Sequence, residues 1–372
     1  EQLNLEIPES QANTRLQQLF DWFRGTTSEP LYDRVLFVLA MSLLAFGFIM
    51  VTSASLPTAE RLTGNPFHFA IRHGVYIVIS LVIMLATLRV PTQSWNLHSG
   101  KLLLIGLMML LLVLIIGHEV NGSQRWIKVG PITIQSAEMA KLFFCIYMAS
   151  YLSRREDEVR EAAKGFIKPL FLLFIAAVLL LMQPDFGTVV VLSATTVAML
   201  FLAGARLWQF FAVFLTCVLA LILLIIVEPY RMQRLLTFLE PEKDPFGAGY
   251  QLMQSLIAFG QGQFSGAGLG NSIQKLQYLP EAHTDFIMAV IAEELGFLGV
   301  LAVIATVLML VWRALVIGRR CLMLEQRYGG YLAYGISVWF SIQAFVNIGV
   351  ASGALPTKGL TLPMVSYGGN SL

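Results

Sequence analysis

Charged residues and cysteines are scarce in this chain of 372 residues. Only 13% of the residues are charged while 56% are hydrophobic, and the mean hydropathy is +0.70. One water-soluble core cannot bury that much apolar surface, so the composition excludes an ordinary soluble domain. The three cysteines, Cys145, Cys217 and Cys321, lie in or beside apolar runs or on the predicted cytoplasmic side, which gives no disulfide framework.

Nine apolar runs are long enough to cross the roughly 30 Å of hydrocarbon in a bilayer. They cover residues 35–53, 68–90, 100–117, 137–153, 169–182, 187–204, 207–227, 285–316 and 330–352. The runs lack the period-2 alternation of barrel strands, which disfavours a closed β-barrel. The sequence therefore predicts an all-α polytopic membrane protein, and the Gly-Gly turn close to the last residue predicts a tenth helix beyond it.

The distribution of cations predicts which side of the membrane each connection faces. Most Lys and Arg residues share a side with the N-terminus, so we expect a cytoplasmic N-terminus and an extracytoplasmic loop at 228–284. No cleavable signal peptide pattern precedes the first helix, which is therefore expected to direct insertion. Residues 1–30 form a predicted cytoplasmic tail, for which an interfacial amphipathic helix and a disordered segment are the two alternatives. The apolar stripe of that helix would consist of Leu16, Leu19, Phe20 and Phe23.

The outer loop ends in Glu281-Ala-His283-Thr284-Asp285, where polar sequence meets the eighth apolar run. A carboxylate at a membrane surface is costly unless it has a task. Asp285 is therefore the candidate catalytic residue for a polar substrate delivered from the membrane. The glycines of 260–270 follow no predicted strand and lack the Walker lysine spacing, so they favour close backbone approach to a ligand or a re-entrant turn over a phosphate loop.

Polar residues also occur inside the predicted helices. Glu138 and Lys141 are three residues apart and share one helix face, which predicts an ion pair in a polar cavity near Arg125 and Trp126. This pair either fixes helix packing, binds an anionic headgroup or organises the catalytic carboxylate. Asp185 is expected to cap the next helix, in a tight turn or broken helix at the outer face.

In the ninth helix, Gln343 and Asn347 are one turn apart and are expected to form hydrogen bonds between helices. His118, Glu119 and His283 have no spacing typical of a metal site, so no metal ligands are assigned.

Several extended motifs resemble those of the SEDS family (shape, elongation, division and sporulation). They are Tyr32-Asp-Arg, Gln124-Arg-Trp-Ile, Gln135-Ser-Ala-Glu-Met-Ala-Lys, Gln183-Pro-Asp-Phe-Gly-Thr, Asp244-Pro-Phe-Gly-Ala-Gly-Tyr-Gln, Leu279-Pro-Glu-Ala-His-Thr-Asp-Phe-Ile and Pro363-Met-Val-Ser-Tyr-Gly-Gly. The resemblance runs from about residue 31 to the end. Leu355-Pro-Thr-Lys-Gly-Leu-Thr-Leu-Pro is similar to the cell-division branch of the family more than to its elongation branch.

This resemblance implies a ten-helix bundle over 31–372 that polymerises lipid II into septal glycan on the extracytoplasmic face of the bacterial cytoplasmic membrane. Asp285 matches the family's catalytic aspartate. The candidate substrate-binding residues are Arg125, Trp126, Glu138, Lys141, Gln183, Asp185, Arg231, Arg234, Glu281, His283, Thr284, Lys358, Ser366 and Tyr367. The implied partners are a class B penicillin-binding protein transpeptidase of the FtsI type and other division proteins of the FtsQ, FtsL, FtsB and FtsN types.

The expected chemistry needs one general base. A carboxylate at the interface can take the proton of an attacking hydroxyl, and a single carboxylate with direct displacement predicts inversion at the anomeric carbon. A divalent cation, Mg²⁺ or Mn²⁺, is the candidate cofactor for the pyrophosphate leaving group, and no organic cofactor or nucleic acid is expected. A lipid flippase or transporter and a non-catalytic division scaffold are the alternative functions.

A stripe of small residues runs along the eighth predicted helix, formed by Gly299, Ala302 and Thr306. Small residues let a second helix approach closely in a membrane. The stripe predicts either docking of the transpeptidase's single membrane helix or packing inside the bundle.

Overall fold

The computed structural model describes residues 32–120, 123–129, 132–227, 249–276, 278–356 and 359–369, with residues 240, 243, 247 and 372 besides. The tail with its apolar stripe, residues 228–239 and Lys358 lie outside the described residues. Predictions that fall on those segments, including the substrate contacts of Arg231, Arg234 and Lys358, therefore stay predictions.

Ten helices form the described part of the chain. They are α1 (Arg34–Thr63), α2 (His68–Leu88), α3 (Thr92–Ile116), α4 (Ser136–Glu161), α5 (Ala163–Met182), α6 (Phe186–Leu202), α7 (Leu207–Val227), α8 (Tyr250–Gly262), α9 (Ile287–Met323) and α10 (Arg327–Ala351). Six of them are long and apolar enough to cross a membrane, namely α1, α2, α3, α5, α9 and α10. The predicted class of all-α polytopic membrane protein is confirmed.

Several helices extend beyond the predicted apolar runs. Helix α4 continues to Glu161 instead of ending near 153, and α9 continues to Met323 instead of 316. Hydropathy marks the apolar centre of a helix, whereas its hydrogen-bonded turns can continue into the polar layer. Helix α9 also begins at Ile287, so Asp285 precedes the helix and the predicted start at 285 was two residues early.

Two elements were not predicted from the sequence. Three strands form an antiparallel sheet, namely β1 (His118–Val120), β2 (Ser123–Val129) and β3 (Ile132–Gln135), in that order. Helix α8 lies within 228–284, which was described as a polar loop. Both elements are too short or too polar to register in a search for membrane-spanning runs.

Helix α9 is central to the bundle. Its first residues, Ile287–Ile291, are fully buried on every face, and they pack in a core with α1, α8 and α10. A second core joins α3, α4, α5 and α6. The α9 helix breaks at Gly296, where φ is +67° and ψ is −163°.

A re-entrant segment from the outer loop fills the break in α9. Ala267 N–H donates to the Glu293 carbonyl at 2.9 Å, Gly268 N–H to the Glu294 carbonyl at 2.9 Å, and Phe297 N–H to the Gln263 carbonyl at 2.9 Å. These bonds satisfy backbone groups that the break frees, as a membrane interior requires. A Cβ on Gly262 would overlap the Ala292 carbonyl oxygen. These glycines therefore let the backbone of this segment pack closely against α9, and its re-entry into the membrane stays a prediction.

Candidate active site

Asp285 lies in a tight turn that directly precedes α9. The N–H groups of Thr284 and Phe286 donate to the Glu281 carbonyl at 3.1 and 3.2 Å. Glu281 has a φ of +56°, a left-handed conformation that costs a residue with a side chain roughly 1 kcal/mol. The Thr284 hydroxyl also donates to the Glu281 carboxylate at 2.7 Å. The turn therefore fixes the backbone of Asp285 before the helix begins.

The Asp285 side chain is only partly exposed, and Gly359 lies beside its carboxylate. A Cβ added to Gly359 would lie 2.9 Å from Oδ2 of Asp285, so a larger residue there would displace the carboxylate. Asn347 Nδ2 donates to the Asp285 carbonyl oxygen at 2.8 Å. Among the described residues, no side chain or backbone group donates a hydrogen bond to the carboxylate itself.

The charge of Asp285 is destabilised by its surroundings. Burial is the largest cause and raises the pKa of this carboxyl to about 7; the negative charge of Glu281 raises it further. Arg125 lowers the pKa of Asp285, and Asp185 raises it. A carboxyl that titrates near neutral pH is suited to accept a proton as a general base.

The cation near Asp285 is held by a turn between two helices. Arg125, on β2, donates from Nε to the Gln183 carbonyl at 3.2 Å and from Nη2 to the Pro184 carbonyl at 2.5 Å. Trp126 follows it on the same strand and is half-buried. These bonds tie the small sheet to the connection between α5 and α6.

Gln183 and Asp185 use their side chains within this connection. Gln183 Nε2 donates to the Leu110 carbonyl at 2.8 Å. Asp185 accepts from Thr188 N–H at 3.3 Å and from the Thr188 hydroxyl at 2.8 Å, so the predicted cap of α6 is confirmed. Both side chains are buried. Asp185 therefore acts on Asp285 through its charge, while its hydrogen bonds to Thr188 cap α6.

The helix-4 pair is present but differs from its predicted surroundings. Lys141 Nζ lies 2.8 Å from Glu138 Oε1 and donates to Gln343 Oε1 at 2.9 Å, with the Trp339 ring centre 5.0 Å away. The adjoining cavity has a mostly apolar lining, and neither Arg125 nor Trp126 is part of it. Lys141 points toward α10, and the predicted proximity of the pair to Arg125 and Trp126 stays a prediction.

An aromatic cluster stands beside the turn. The His283 ring centre is 5.1 Å from that of Phe69 and 5.3 Å from that of Tyr367, and Tyr367 N–H donates to the His283 carbonyl at 3.0 Å. Burial lowers the pKa of His283, while Glu281 raises it. Ser366 Oγ accepts from Leu362 N–H at 2.8 Å and shapes the backbone of this segment. The structure thus brings His283 and Tyr367 into contact, and the substrate contacts expected of them and of Ser366 stay predictions.

A second buried ion pair was missed. Lys275 Nζ lies 2.7 Å from Glu294 Oε1 and donates to Ser53 Oγ at 2.9 Å, while Ser53 donates to the same glutamate at 2.7 Å. The neighbouring Glu293 accepts from Ile273 N–H at 2.8 Å and from the Ser272 hydroxyl. Two adjacent glutamates inside an apolar run are the signal that could have found this cluster.

The small-residue stripe of α9 does not form one open face. Gly299 is buried, Ala302 is exposed, and the Thr306 hydroxyl donates to the Ala302 carbonyl at 2.7 Å within its own helix. The exposed apolar side chains of this helix include Leu298, Leu301, Leu308, Met309 and Trp312.

The described residues form no group of three or more His, Cys, Asp or Glu side chains that could hold a metal ion. The predicted divalent cation therefore has no ready-made protein site among them.

The apolar helices define a multi-span membrane protein, in which the partly exposed carboxylate of Asp285 lies just before α9. A family model described as "Cell cycle protein", for FtsW, RodA and SpoVE, matches residues 33–372. The chain belongs to this family.

Several relatives and solved structures are similar over most of their length. The "Probable peptidoglycan glycosyltransferase FtsW" of Idiomarina loihiensis is 87% identical over all of this chain and 91% of its own, and that of Escherichia coli O157:H7 is 53% identical over 94% and 84%. A chain of a peptidoglycan synthase complex has a TM-score of 0.76 at 28% identity, covering 92% of this chain and 93% of its own. The rod shape determining protein RodA of Thermus thermophilus has a TM-score of 0.67 at 26% identity, covering 92% of both chains.

Proposed function

We propose that this protein polymerises lipid II into glycan strands during septal cell-wall synthesis, with Asp285 as the general base. The observation that carries the proposal is the covered carboxylate of Asp285, whose pKa burial raises to about 7, beside Arg125 at the membrane surface. Its relatives are named peptidoglycan glycosyltransferases, which supports the class of reaction. The site would face the extracytoplasmic side, in agreement with the distribution of Lys and Arg.

The proposed reaction is a direct displacement. The acceptor sugar's 4-hydroxyl attacks the anomeric carbon of the donor as its proton passes to the Asp285 carboxylate. The new glycosidic bond forms while the bond from that carbon to the pyrophosphate oxygen breaks, and the electron pair leaves with the lipid pyrophosphate. One attack with one carboxylate inverts the anomeric centre. The proton then leaves Asp285 for solvent, which restores the base.

The leaving group needs charge neutralisation more than a proton. Arg125 is half-buried, is held by two backbone carbonyls, and its charge lowers the pKa of Asp285, so it is the described cation best placed for the pyrophosphate. A Mg²⁺ or Mn²⁺ ion carried on the pyrophosphate would share this task. Excess EDTA is then expected to lower the rate, and full activity in EDTA would assign the task to Arg and Lys alone.

The proposed partner is a class B penicillin-binding protein of the FtsI type, besides division proteins of the FtsQ, FtsL, FtsB and FtsN types. A related chain was solved in a peptidoglycan synthase complex, which supports assembly with such a protein. On α9, Leu298, Leu301 and Ala302 are exposed and would receive its membrane helix. Buried Gly299 would contribute close helix packing inside the bundle instead.

Reconstitution with purified lipid II tests the function. The wild-type protein with its transpeptidase should form glycan strands, whereas Asp285→Asn should lower polymerisation by about 10²-fold or more because the swap removes only basicity. The same substitution at exposed Asp157 on α4 is the matched control and should keep activity. Headgroup transfer across the vesicle without polymer would indicate a flippase, and neither transfer nor polymer would indicate a scaffold.

A further inference from the structure

Two side-chain amides on α10 donate hydrogen bonds to neighbouring backbone carbonyls at residues 360 and 361, close to Asp285. Gln343 Nε2 donates to the Thr361 carbonyl at 3.1 Å, and Asn347 Nδ2 donates to the Leu360 carbonyl at 2.6 Å. The two amides are one helical turn apart, and both are almost fully buried, with 2% and 1% of their surfaces exposed. Residues 360 and 361 are thus fixed to α10 by side chains on one helix face.

Asn347 makes a second bond that Gln343 lacks. The same Nδ2 donates to the Asp285 carbonyl at 2.8 Å, so one amide group joins the covering segment to the turn that holds the carboxylate. The Oδ1 atom of Asn347 is buried without a hydrogen-bond partner. A flipped amide would place that oxygen against two carbonyl oxygens, so the observed orientation is the favourable one.

Leu360 directly follows Gly359, where an added Cβ would lie 2.9 Å from Asp285 Oδ2. The hydrogen bond from Asn347 to the Leu360 carbonyl therefore fixes how far Gly359 lies from the Asp285 carboxylate. Gln343 is itself oriented by Lys141 Nζ at 2.9 Å and by Trp339 Nε1 at 2.8 Å, both of which donate to its Oε1 atom. The Glu138–Lys141 pair is consequently linked to the segment beside Asp285 by hydrogen bonds through Gln343 and Thr361.

We propose that Asn347 is a positioning residue, which holds the 359–362 segment over the Asp285 carboxylate and thereby keeps the base shielded from water. The proposal rests on the proposed function, in which Asp285 accepts the proton. It assigns Gln343 the supporting role of holding the next carbonyl. The helix-4 pair then organises the site without touching the substrate.

Loosening the cover has a defined electrostatic consequence. Burial is the largest cause that raises the pKa of Asp285, with Glu281 and Asp185 raising it and Arg125 lowering it. Water that enters beside Gly359 would stabilise the carboxylate, so the pKa of Asp285 would fall toward its ordinary value near 4. The acid limb of the pH–rate profile would move to lower pH, while the plateau rate would fall because the base becomes weaker and less well placed.

The test replaces Asn347 in the full chain together with its transpeptidase. Asn347→Leu has a similar size and removes both donors, and Asn347→Ala is a second variant that removes them without adding a charge. Ser337→Ala is the matched control, because Ser337 is also buried on α10 but bonds only to the Ala333 carbonyl of its own helix, at 2.6 Å. Two readouts are taken: hydrogen exchange of the backbone at 359–366, and the pH dependence of glycan synthesis from lipid II.

We expect both Asn347 variants to exchange faster at 359–366, to shift the acid limb downward by about one pH unit or more, and to lower the plateau rate about tenfold. The Ser337 variant should match the wild type in all three. An unchanged acid limb in a folded Asn347 variant would overturn the proposal, even if the amount of folded protein fell. Unchanged exchange at 359–366 would overturn it as well.

Failure of the proposed function gives a different pattern. In that case the wild-type protein makes no glycan, or Asp285→Asn makes as much as the wild type, whatever the exchange at 359–366. If one Asn347 variant does not fold, the other decides. Loss of folding in both, with normal folding of Gln343→Leu, would assign Asn347 a purely structural role and overturn the proposal.

Discussion

Glu138–Lys141 and Lys275–Glu294 are both buried Lys–Glu pairs with a neutral third group, yet they are built differently. The first joins two residues three apart on α4 and adds Gln343, and Glu138 keeps 12% of its side chain exposed. The second joins α9 to the outer segment and adds Ser53 from α1, and Glu294 has no exposed surface. Water can therefore reach Glu138 when Lys141 is lost, whereas it cannot reach Glu294 when Lys275 is lost.

The largest effect is expected for Lys275→Met. The substitution leaves Glu294 charged and without water, which costs about 3–5 kcal/mol of folding free energy. The double variant Lys275→Met/Glu294→Gln should recover most of that loss, since no buried charge remains. Thermal unfolding in detergent measures both, and a double variant less stable than the single one would contradict this account of the pair.

Gly262→Ala tests whether close backbone contact with α9 holds the re-entrant segment in place. The added methyl group would overlap the Ala292 carbonyl oxygen, so we expect a loss of about 1–3 kcal/mol and faster proteolysis within 263–276. Gly260→Ala, two residues earlier on α8, meets no atom within 4 Å and is the control. Equal behaviour of the two variants would show that the segment does not depend on close backbone contact.

A smaller effect is expected for Lys141→Met. Partly exposed Glu138 can turn toward water, so the loss should be about 1–2 kcal/mol, again relieved by Glu138→Gln in the double variant. The rate of glycan synthesis should fall by more than the loss of folded protein explains, because Gln343 loses one of the two donors that orient it. If activity losses add, with the double variant worst, each residue contacts the substrate independently.

The smallest expected change is a gain in stability. The folded pKa of Asp285, about 7, lies above the ordinary value of 3.8, so folding disfavours its charged form. That penalty is absent below about pH 4, grows as the pH rises and is complete above about pH 7. Asp285→Asn should therefore unfold a few degrees higher than the wild type at pH 8 and at the same temperature at pH 4. A lower unfolding temperature at pH 8 would contradict the assigned shift.

Local patterns in the sequence predicted local structure well. The spacing of Glu138 and Lys141 predicted their ion pair, and Asp185 before an apolar run predicted a helix cap, because each involves groups within three residues. The apolar runs predicted the spanning helices for the same reason. Their ends were less accurate, since no local signal marks where a helix leaves the hydrocarbon.

The long-range parts of the site were not available from periodicity. Lys275 and Glu294 are 19 residues apart, Asn347 and Asp285 are 62 apart, and Ser53 reaches Glu294 across 241 positions. Only the three-dimensional fold brings such groups together. The sequence predicted that Asn347 would bond between elements, but not that its partner would be the backbone of the candidate base.

The break in α9 at Gly296 changes what a neighbour in the membrane could transmit along this helix. An unbroken helix would transmit a displacement of its C-terminal half directly to the turn that contains Asp285. Here the break at Gly296 interrupts the helix, and backbone hydrogen bonds to residues 263–268 hold it in place. The rings of Phe264 and Phe297 are stacked 6.2 Å apart across the break. A displacement of the half of α9 that follows Gly296 would therefore move residues 263–268 before it moved the Asp285 carboxylate.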